Sequence, residues 1–347
     1  MTRHYYSPAT GAWALRGSVL AHYRDLGGPG GILGFPTSDE TWTADGAGSY
    51  NDFAGSGGAS IYWSQATGAW SLHGEIRAKY LAVGGEPVLG FPTTDENGTP
   101  AGVGRYNHFN GAGGASIYWT PGTGAHEVQG AIRSRWAQLG WETGPGYPVT
   151  DETGTPDGVG RYNHFTKDTS IYFTPATGAH AVKGLIRDKW IALGWEGGLG
   201  YPTTDETSTP DGVGRYNHFN RAGGASIYWT PSTGAHAIQG AIRSQWASLG
   251  WETGLGYPTT DESVTPDGIG RYNHFSKSAS IYWTPATGAR AVYGAIRDKW
   301  ASLGWERSPL GYPTSNEYSV PGGRRNDFQH GYITWNSATG TTAVTYT

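Results

Sequence analysis

The sequence predicts a β-rich α+β repeat protein built from six small units. A seven-residue phrase, first seen at Leu33–Asp39, recurs six times on a period of 54 to 56 residues. A short helical pattern precedes each copy, and short strand patterns divided by glycine turns follow it. Of the 347 residues, 57 are glycine, more than twice the usual ~7% share. Because these glycines return at the same phase, they mark turns, and the period indicates stacked units rather than one central active site.

The helix comes first in each unit. Ile132, Trp136 and Leu139 recur at i, i+4 and i+7, which places them on one face of a short helix. Gly140 stands where a left-handed C-cap is expected. The seven-residue phrase after each helix must be non-helical, because proline holds its predecessor in an extended conformation. The equivalent trios are Val19/Tyr23/Leu26, Ile76/Tyr80/Val83, Ile186/Trp190/Leu193, Ile242/Trp246/Leu249 and Ile296/Trp300/Leu303.

Three short strands complete each unit. In one repeat these are Arg161–Phe165, Ser170–Phe173 and a strand through Ala181 and Val182, with a glycine-bulged hairpin between the last two. Strands of this length bury little surface alone, so neighbouring units must stack. The domain prediction is a single array over 1–347, with a half-repeat at 1–16 and repeats at 17–73, 74–129, 130–183, 184–239, 240–293 and 294–347. Seven Thr-Gly hairpins against six helices favour a closed, propeller-like ring, and an open array is the alternative.

Composition narrows the function classes. The net charge of −4 without runs of Lys or Arg argues against a nucleic-acid partner. No apolar stretch approaches 18 residues, so membrane insertion is not expected. The segment Met1–Tyr6 lacks the apolar core of a signal peptide. The absence of cysteine rules out disulfides and thiolate metal sites. The Gly-Val-Gly-Arg runs lie between a turn and a strand, which is the wrong context for a phosphate loop. We expect a monomer without a cofactor or bound metal.

An Asp-Glu pair closes the phrase in five of its six copies. Two carboxylates catalyse glycoside hydrolysis when they lie in one asymmetric pocket that gives them different pKa values. Because this pair occurs in near-identical copies, catalysis is its least favoured role. Adjacent residues on an extended segment also point apart. The predicted role is a cap on nearby backbone N–H groups, and binding of sugar hydroxyls is the alternative. The candidate residues are Asp95, Glu96, Asp151, Glu152, Asp205, Glu206, Asp261 and Glu262.

A strand reading Arg-Tyr-Asn-His-Phe recurs in the four middle repeats. Alternation places Arg, Asn and Phe on the core face, where Asn bonds backbone groups, and Tyr and His on the more exposed face. There His would bond a sugar or a neighbouring repeat, and a four-histidine metal set is a remote alternative. Asp52 and Asp327 replace His in the terminal copies, which fits a polar contact. The candidates are Arg105, Arg161, Arg215, Arg271, Tyr106, Tyr162, Tyr216, Tyr272, His108, His164, His218 and His274.

Aromatic residues recur on the second strand and directly after the helix. On the strand, a Trp set with Phe173 in one repeat is predicted to pack in the core; its members are Trp63, Trp119, Trp229, Trp283 and Trp335. The preceding tyrosines are expected on the opposite face, either packed or stacked on a sugar; the candidates are Tyr118, Tyr172, Tyr228 and Tyr282. The tryptophans after the helix are candidates for a groove between repeats, and the first two helices have Gly28 and Gly85 there; they are Trp141, Trp195, Trp251 and Trp305.

The phrase Leu-Gly-[Phe/Tyr]-Pro-x-[Thr/Ser]-[Asp/Asn]-Glu on this period resembles the LGFP repeat family over essentially the whole chain. Members of that family are typical of cell-envelope-associated and secreted actinobacterial proteins, often beside amidases or mycolyltransferases, and of some fungal proteins. The resemblance implies attachment to a cell wall or polysaccharide, no catalysis by the repeat, and an extracellular or wall-associated location, with a cytoplasmic one left open. It does not identify the ligand.

The predicted function is therefore non-catalytic, multivalent binding of a cell-wall glycan. The middle repeats carry the full residue set and are expected to bind best, with the first and last as caps. A structural or adhesion scaffold that binds a protein partner is the alternative, and a glycoside hydrolase is the least favoured class.

Overall fold

The computed structural model describes residues 1–347. Its contacts divide the chain into two compact units, Met1–His180 and Ala181–Thr347. Both contain the same building block, a four-stranded antiparallel sheet whose strands follow chain order, with a short helix after it. None of the helices has the length and apolar character needed to cross a membrane. The predicted repeat of a small sheet and a helix is confirmed.

The first unit begins with a two-stranded hairpin and continues with four-stranded sheets. Its strands are β1 (Thr2–Ser7), β2 (Gly11–Arg16), β3 (Thr41–Trp42), β4 (Gly48–Phe53), β5 (Ala59–Ser64), β6 (Gly68–His73), β7 (Asn97–Gly98), β8 (Arg105–Phe109), β9 (Ala115–Thr120), β10 (Gly124–Gln129), β11 (Thr153–Gly154), β12 (Arg161–Phe165), β13 (Thr169–Thr174) and β14 (Gly178–Lys183), the last of which continues past residue 180. Its helices are α1 (Gly17–Asp25), α2 (Gly74–Ala82), α3 (Glu86–Leu89) and α4 (Gly130–Gln138), with 3₁₀ turns at Gly28–Gly30 and Trp141–Thr143.

The second unit repeats the pattern. Its strands are β15 (Thr207–Ser208), β16 (Arg215–Phe219), β17 (Ala225–Thr230), β18 (Gly234–Gln239), β19 (Ser263–Val264), β20 (Arg271–Phe275), β21 (Ala279–Thr284), β22 (Gly288–Tyr293), β23 (Tyr318–Val320), β24 (Gly323–Phe328), β25 (Gly331–Asn336) and β26 (Thr342–Tyr346). Its helices are α5 (Gly184–Ala192), α6 (Trp195–Leu199), α7 (Gly240–Ser248), α8 (Trp251–Leu255) and α9 (Gly294–Leu303), with a 3₁₀ turn at Trp305–Arg307.

The long helices form because their apolar faces are buried, as that of α4 is between β9–β10 on one side and β13 on the other. On α4, Ile132 and Trp136 are 1% and 0% exposed, and the indole N–H of Trp136 donates to the carbonyl oxygen of Gly146 at 3.2 Å. The helix ends at Leu139, and Gly140 adopts a φ of +93°, a left-handed conformation that only glycine takes without strain. The predicted helix face and its glycine end are confirmed.

Each complete sheet has one more strand than the sequence predicts. The extra strand is only two or three residues long, such as β11, which pairs through Thr153 with Tyr162 on β12. A two-residue strand shows no alternation in sequence, so periodicity gives no signal for it. It lies at the sheet edge, next to the strand that carries the recurring arginine.

Both faces of the sheets are covered. Helices α2 and α4 both contact β9 and β10, and α7 contacts β17 and β18 on one side and β21 and β22 on the other. A buried cluster around α7 accordingly joins Tyr228 of β17 to Phe275 of β20 and Ile281 of β21. Neighbouring repeats therefore share one core, as the short strands require. Closure into a ring stays a prediction.

On the Arg-Tyr-Asn-His-Phe strand, Tyr and His are half-buried whereas Asn and Phe are buried, as alternation predicts. The second-strand tyrosines, which were expected to be either packed or stacked on a sugar, are buried in the core. Tyr118 is only 3% exposed and stacks on Tyr106 with ring centroids 5.0 Å apart. The equivalent stacked pairs are Tyr162/Tyr172, Tyr216/Tyr228 and Tyr272/Tyr282. The second-strand tyrosine of each pair is 3–4% exposed and contributes its area to the core, so it is not open to a sugar.

Candidate functional site

The two carboxylates of each Asp-Glu pair point in different directions. In the phrase after α8, the Oδ1 atom of Asp261 accepts the Ala237 N–H at 2.9 Å, and its Oδ2 accepts from Lys189 Nζ at 2.9 Å. Burial alone would raise the pKa of this carboxyl, but hydrogen bonds from His236, Lys189 and the Ala237 N–H outweigh burial and hold its pKa well below the usual range. Asp261 is a structural anchor, as the capping prediction required.

In other repeats the equivalent aspartate also bonds a side chain on the long helix of the preceding repeat. Lys79 on α2 donates to Asp151 at 2.8 Å, and His22 on α1 contacts Asp95 at 2.7 Å. Asp95 also accepts the Ser71 N–H and Ser71 hydroxyl, at 2.8 and 2.7 Å. The Asp205 carboxylate accepts the Ala181 N–H at 2.8 Å. These aspartates are occupied by protein groups, so they are not available to a ligand.

The glutamate of each pair faces a recurring cavity instead. In the fifth repeat, Glu262 and Arg271 lie together with a distance of 3.7 Å between Arg271 Nη1 and Glu262 Oε1. Trp283 stands opposite Arg271 in the strand register, and the start of α7 closes the other side. The enclosed cavity is about 190 Å³. Burial raises the pKa of Glu262, and Arg271 acts in the opposite direction.

The Glu262 side chain is 8% exposed and that of Arg271 47%. A partly exposed cation thus covers a nearly buried carboxylate, and a half-buried indole forms the adjacent wall. The cavity is smaller than the roughly 300–1,000 Å³ of sites for drug-sized ligands. It suits one sugar-sized group that offers hydroxyls to the ion pair and an apolar face to the ring.

An equivalent cavity occurs in the sixth repeat and in the first. The sixth is lined by Glu317, Arg324 and Trp335 at the start of α9 and measures about 240 Å³. The first is lined by Glu40 and Trp63 among others and measures about 520 Å³. The same Glu–Arg contact forms in the second, third and fourth repeats, namely Arg105–Glu96, Arg161–Glu152 and Arg215–Glu206.

Sequence reasoning found the glutamates and arginines of this site but not its tryptophans. The Trp set was predicted to be core, and Trp63, Trp119, Trp283 and Trp335 do pack against core clusters. All members are only half-buried, however, and Trp63, Trp283 and Trp335 also form a cavity wall. The sequence did contain a signal for the tryptophans: in a three-strand meander the recurring Arg and the Trp stand directly opposite each other, and therefore on the same face. The residue just before the helix was also missed; it varies between repeats as Arg16, His73, Gln129, Lys183, Gln239 and Tyr293.

The recurring histidine lies inside a polar cluster away from the cavity. His218 Nδ1 is 2.7 Å from Ser226 Oγ and 3.3 Å from Arg243 Nη2. Because an arginine can only donate, Nδ1 is the unprotonated ring nitrogen. Burial and Arg243 lower the pKa of His218 to about 4. The histidines bond groups of a neighbouring repeat rather than solvent, and the structure holds no group of three or more His, Asp or Glu side chains placed to bind a metal.

The same arrangement recurs with His108 and His274, whose pKa values are also lowered to about 4, and His164 Nδ1 lies 2.7 Å from Ser170 Oγ. In the first complete sheet Asp52 takes the place of His and accepts from Arg77 at 3.0 Å. The polar contact expected from that substitution is present.

The tryptophan after each helix packs on the arginine of this cluster. The Arg243 guanidinium lies 5.1 Å from the Trp251 ring centroid, and the ring also contacts Trp246. Trp251 has a φ of +54°, a region that costs a bulky residue energy unless contacts hold it there. The equivalent residues Trp141, Trp195 and Trp305 share this backbone conformation and an arginine neighbour. These tryptophans were candidates for a groove between repeats; in the structure an arginine of the protein lies against each ring.

A comparison with protein families matches this sequence to a known repeat. The family model described as LGFP repeat matches seven segments, residues 3–31, 33–87, 89–144, 146–198, 199–254, 255–308 and 310–346. The chain belongs to the LGFP repeat family. The first and last LGFP segments are shorter than the others, and a search of curated proteins returns no match.

Solved structures with weak similarity to this LGFP chain include three repeat-containing or enzyme domains. One is a putative 6-phosphogluconolactonase from Bacteroides uniformis, with 15% identity over 88% of this chain and 83% of that chain, at a TM-score of 0.13. Another is the β-propeller domain of Cps50 (Swd1) from Myceliophteria thermophila, with 10% identity over 89% and 86% at 0.15. The WD40 repeats of RRP9 match with 9% identity over 56% and 49% at 0.13. At these TM-scores the likenesses carry no argument about fold closure or activity.

Proposed function

We propose that this chain is a non-catalytic, lectin-like protein that binds a cell-wall polysaccharide through its repeated Glu–Arg–Trp cavities, in an extracellular or wall-associated setting. The observation that carries the proposal is the recurrence of a cavity at the same place in the first, fifth and sixth repeats, together with the same Glu–Arg contact in the repeats between them. Its ion pair offers hydrogen-bond donors and acceptors, and its indole offers an apolar face. Polysaccharides present matching groups at regular intervals.

Several weak sites on a repeated scaffold suit a polymeric ligand. Each cavity of about 190 to 240 Å³ holds little more than one sugar ring, so single-site affinity is expected to be low. Simultaneous engagement of sites on one polymer raises overall avidity by about 10²–10⁴-fold. A hydrolase would instead concentrate its chemistry in one asymmetric pocket.

The test is binding of the full chain to soluble glycans and to purified bacterial and fungal cell walls, including arabinose- and galactofuranose-containing polymers. We expect saturable binding that one monosaccharide competes away. Trp283→Ala should weaken binding, since it removes the cavity wall, whereas Val213→Ala at an exposed loop tip is the matched control and should leave binding unchanged.

Retention on walls that no monosaccharide releases, and that protease treatment of the walls abolishes, would favour the scaffold that binds a protein partner. An equal loss of binding in both variants would indicate that the Glu–Arg–Trp cavity is not the site.

A further inference from the structure

The first cavity differs from the others in its aromatic residues. Trp42 on β3 is paired in register with Ser49 on β4, and Ser49 is paired with Trp63 on β5. Directly opposed residues in an antiparallel sheet project from the same face. Since neighbouring strands are about 4.8 Å apart, the two indoles rise from positions about 10 Å apart with a serine between them.

No other repeat has this arrangement. In each of them an arginine occupies the place of Ser49, and a residue without an aromatic ring occupies the place of Trp42. The paired residues are Gly98/Arg105, Gly154/Arg161, Ser208/Arg215, Val264/Arg271 and Ser319/Arg324. Trp42 is also 55% exposed, and it is the one tryptophan among the exposed large hydrophobic residues of the chain.

The cation missing at Ser49 comes from another strand. Arg16, at the end of β2, forms the ion pair with Glu40, and the Ser49 hydroxyl donates to the other Glu40 oxygen at 2.6 Å. Glu40 thus keeps its charge partner, and Arg16 lines the cavity from β2, while the register position between the two tryptophans is held by a serine instead of an arginine. The cavity measures about 520 Å³, with Met1 and Thr2 among its walls, against about 190 and 240 Å³ in the fifth and sixth repeats.

We propose that Trp42 and Trp63 form a distinct sugar site that holds one pyranose ring of a glycan chain between two indole faces. Ring atoms in contact lie about 3.5–4.0 Å apart, so a stacked ring needs about 7–8 Å between the indole planes, which the strand spacing provides. This inference rests on the glycan-binding function proposed above and names the sugar class that one of its sites takes.

Contact on both faces selects the configuration of the sugar. A gluco-configured pyranose carries its ring substituents equatorially, so axial C–H groups make both of its faces apolar. A galacto-configured ring has an axial oxygen at C4, which in a β-1,4-linked chain carries the next sugar. This oxygen and its substituent project from one face of the ring and keep an indole from lying against that face. The first site therefore prefers β-1,4-linked gluco-configured chains over their galacto counterparts. The first repeat is then a binding repeat rather than the cap that the sequence suggested.

Titration calorimetry of the full chain with cellohexaose, chitohexaose and β-1,4-galactohexaose tests this site. We expect tighter binding of at least one of the two gluco-configured probes than of the galactan. Trp42→Gly introduces the residue that the second repeat has at the equivalent position, Gly98. It should weaken binding of that probe about tenfold, because one apolar contact face is lost, and should have little effect on binding of the galactan. Because Trp42 is mostly exposed, this variant is expected to fold.

A transplant into the fifth repeat provides the converse test. Gln239→Arg, Val264→Trp and Arg271→Ser together reproduce the first cavity, and we expect the stoichiometry for the gluco-configured probe to increase by one site. Unchanged binding in Trp42→Gly, or equal affinity for the galactan, would overturn the proposed two-indole site. If neither gluco-configured probe binds but another glycan does, the two-indole site is wrong and the multivalent function stands. If no glycan binds at all, both proposals fail.

Discussion

Glu127 is a buried carboxyl that destabilises the protein at neutral and alkaline pH, and Glu127→Gln should remove that effect. It lies on β10 and is 4% exposed. Its Oε1 accepts the Glu152 N–H at 3.0 Å, whereas its Oε2 has no hydrogen-bond partner. The equivalent position holds a small residue in every other repeat, namely Ala14, Ser71, Ala181, Ala237 and Ala291.

The magnitude follows from the pKa. Burial, together with the nearby Glu152 and Asp151, raises the pKa of Glu127 from 4.5 to about 7, and Arg161 opposes the increase. The folded state therefore binds this proton more tightly than the unfolded state, so the free energy of unfolding falls as pH rises from about 4.5 to about 7 and is constant above. The difference in pKa corresponds to about 3 kcal/mol.

Urea denaturation at pH 8 and pH 4 measures the effect. Relative to wild type, Glu127→Gln should gain up to about 3 kcal/mol between pH 4 and pH 8, and any pH-independent effect of the amide cancels in that comparison. Glu75→Gln, at an exposed carboxyl, is the control and should show little change. Ala237→Glu should introduce a loss of stability with rising pH, of the same sign, in the fourth repeat. An equal free-energy difference at the two pH values would refute the reasoning.

Three further outcomes are expected. Tyr257→Phe removes hydrogen bonds to a carboxylate and a hydroxyl and should lower the free energy of unfolding by about 2 kcal/mol. Tyr147→Phe loses only a hydroxyl partner and should lower it by about 1 kcal/mol. Equal losses in the two variants would contradict the role of the carboxylate. Lys189→Ala breaks a part-buried ion pair and should lower thermal stability by about 1 kcal/mol, whereas Lys299→Ala should stay within about 0.5 kcal/mol. Because the folded pKa of His218 is about 4, below the unfolded 6.5, stability should be lost as pH falls from 6.5 to 4, and His218→Asn in a Glu127→Gln background should reduce that loss by about 2 kcal/mol.

The elements that a helical or alternating pattern encodes were predictable from the sequence. Ile242 and Trp246 are buried on one helix face as their spacing indicates. Asn273 donates to the carbonyl oxygens of Ala237 and Thr260, at 3.1 and 2.8 Å, which matches its predicted backbone role. Both results follow from local geometry alone, since a helix or strand fixes which side chains share a face.

What escaped prediction depends on the packing of one repeat against the next. Alternation separates Tyr228 from Trp229 but does not show which face a helix will cover, and the assignment of the exposed side to the tyrosine was therefore reversed. Glu262 and Arg271 were singled out individually, yet their partnership required the strand register. Trp42 was not predicted as a site residue, because a strand of two residues shows no periodic pattern in the sequence.

Helices α1, α2, α4, α7 and α9 each pack between the sheet before them and the sheet after them, as α7 does between β17–β18 and β21–β22. No point in the period is therefore a natural border, and a segment of 54 to 56 residues cut at any phase carries the same set of half-interfaces at its two ends. Duplication or loss of such a segment creates no new kind of contact, because each junction repeats one already present. Gene-level changes in whole periods can thus adjust the number of cavities presented to a polymer, while substitutions such as those at positions 42 and 49 diversify a single cavity without disturbing the rest.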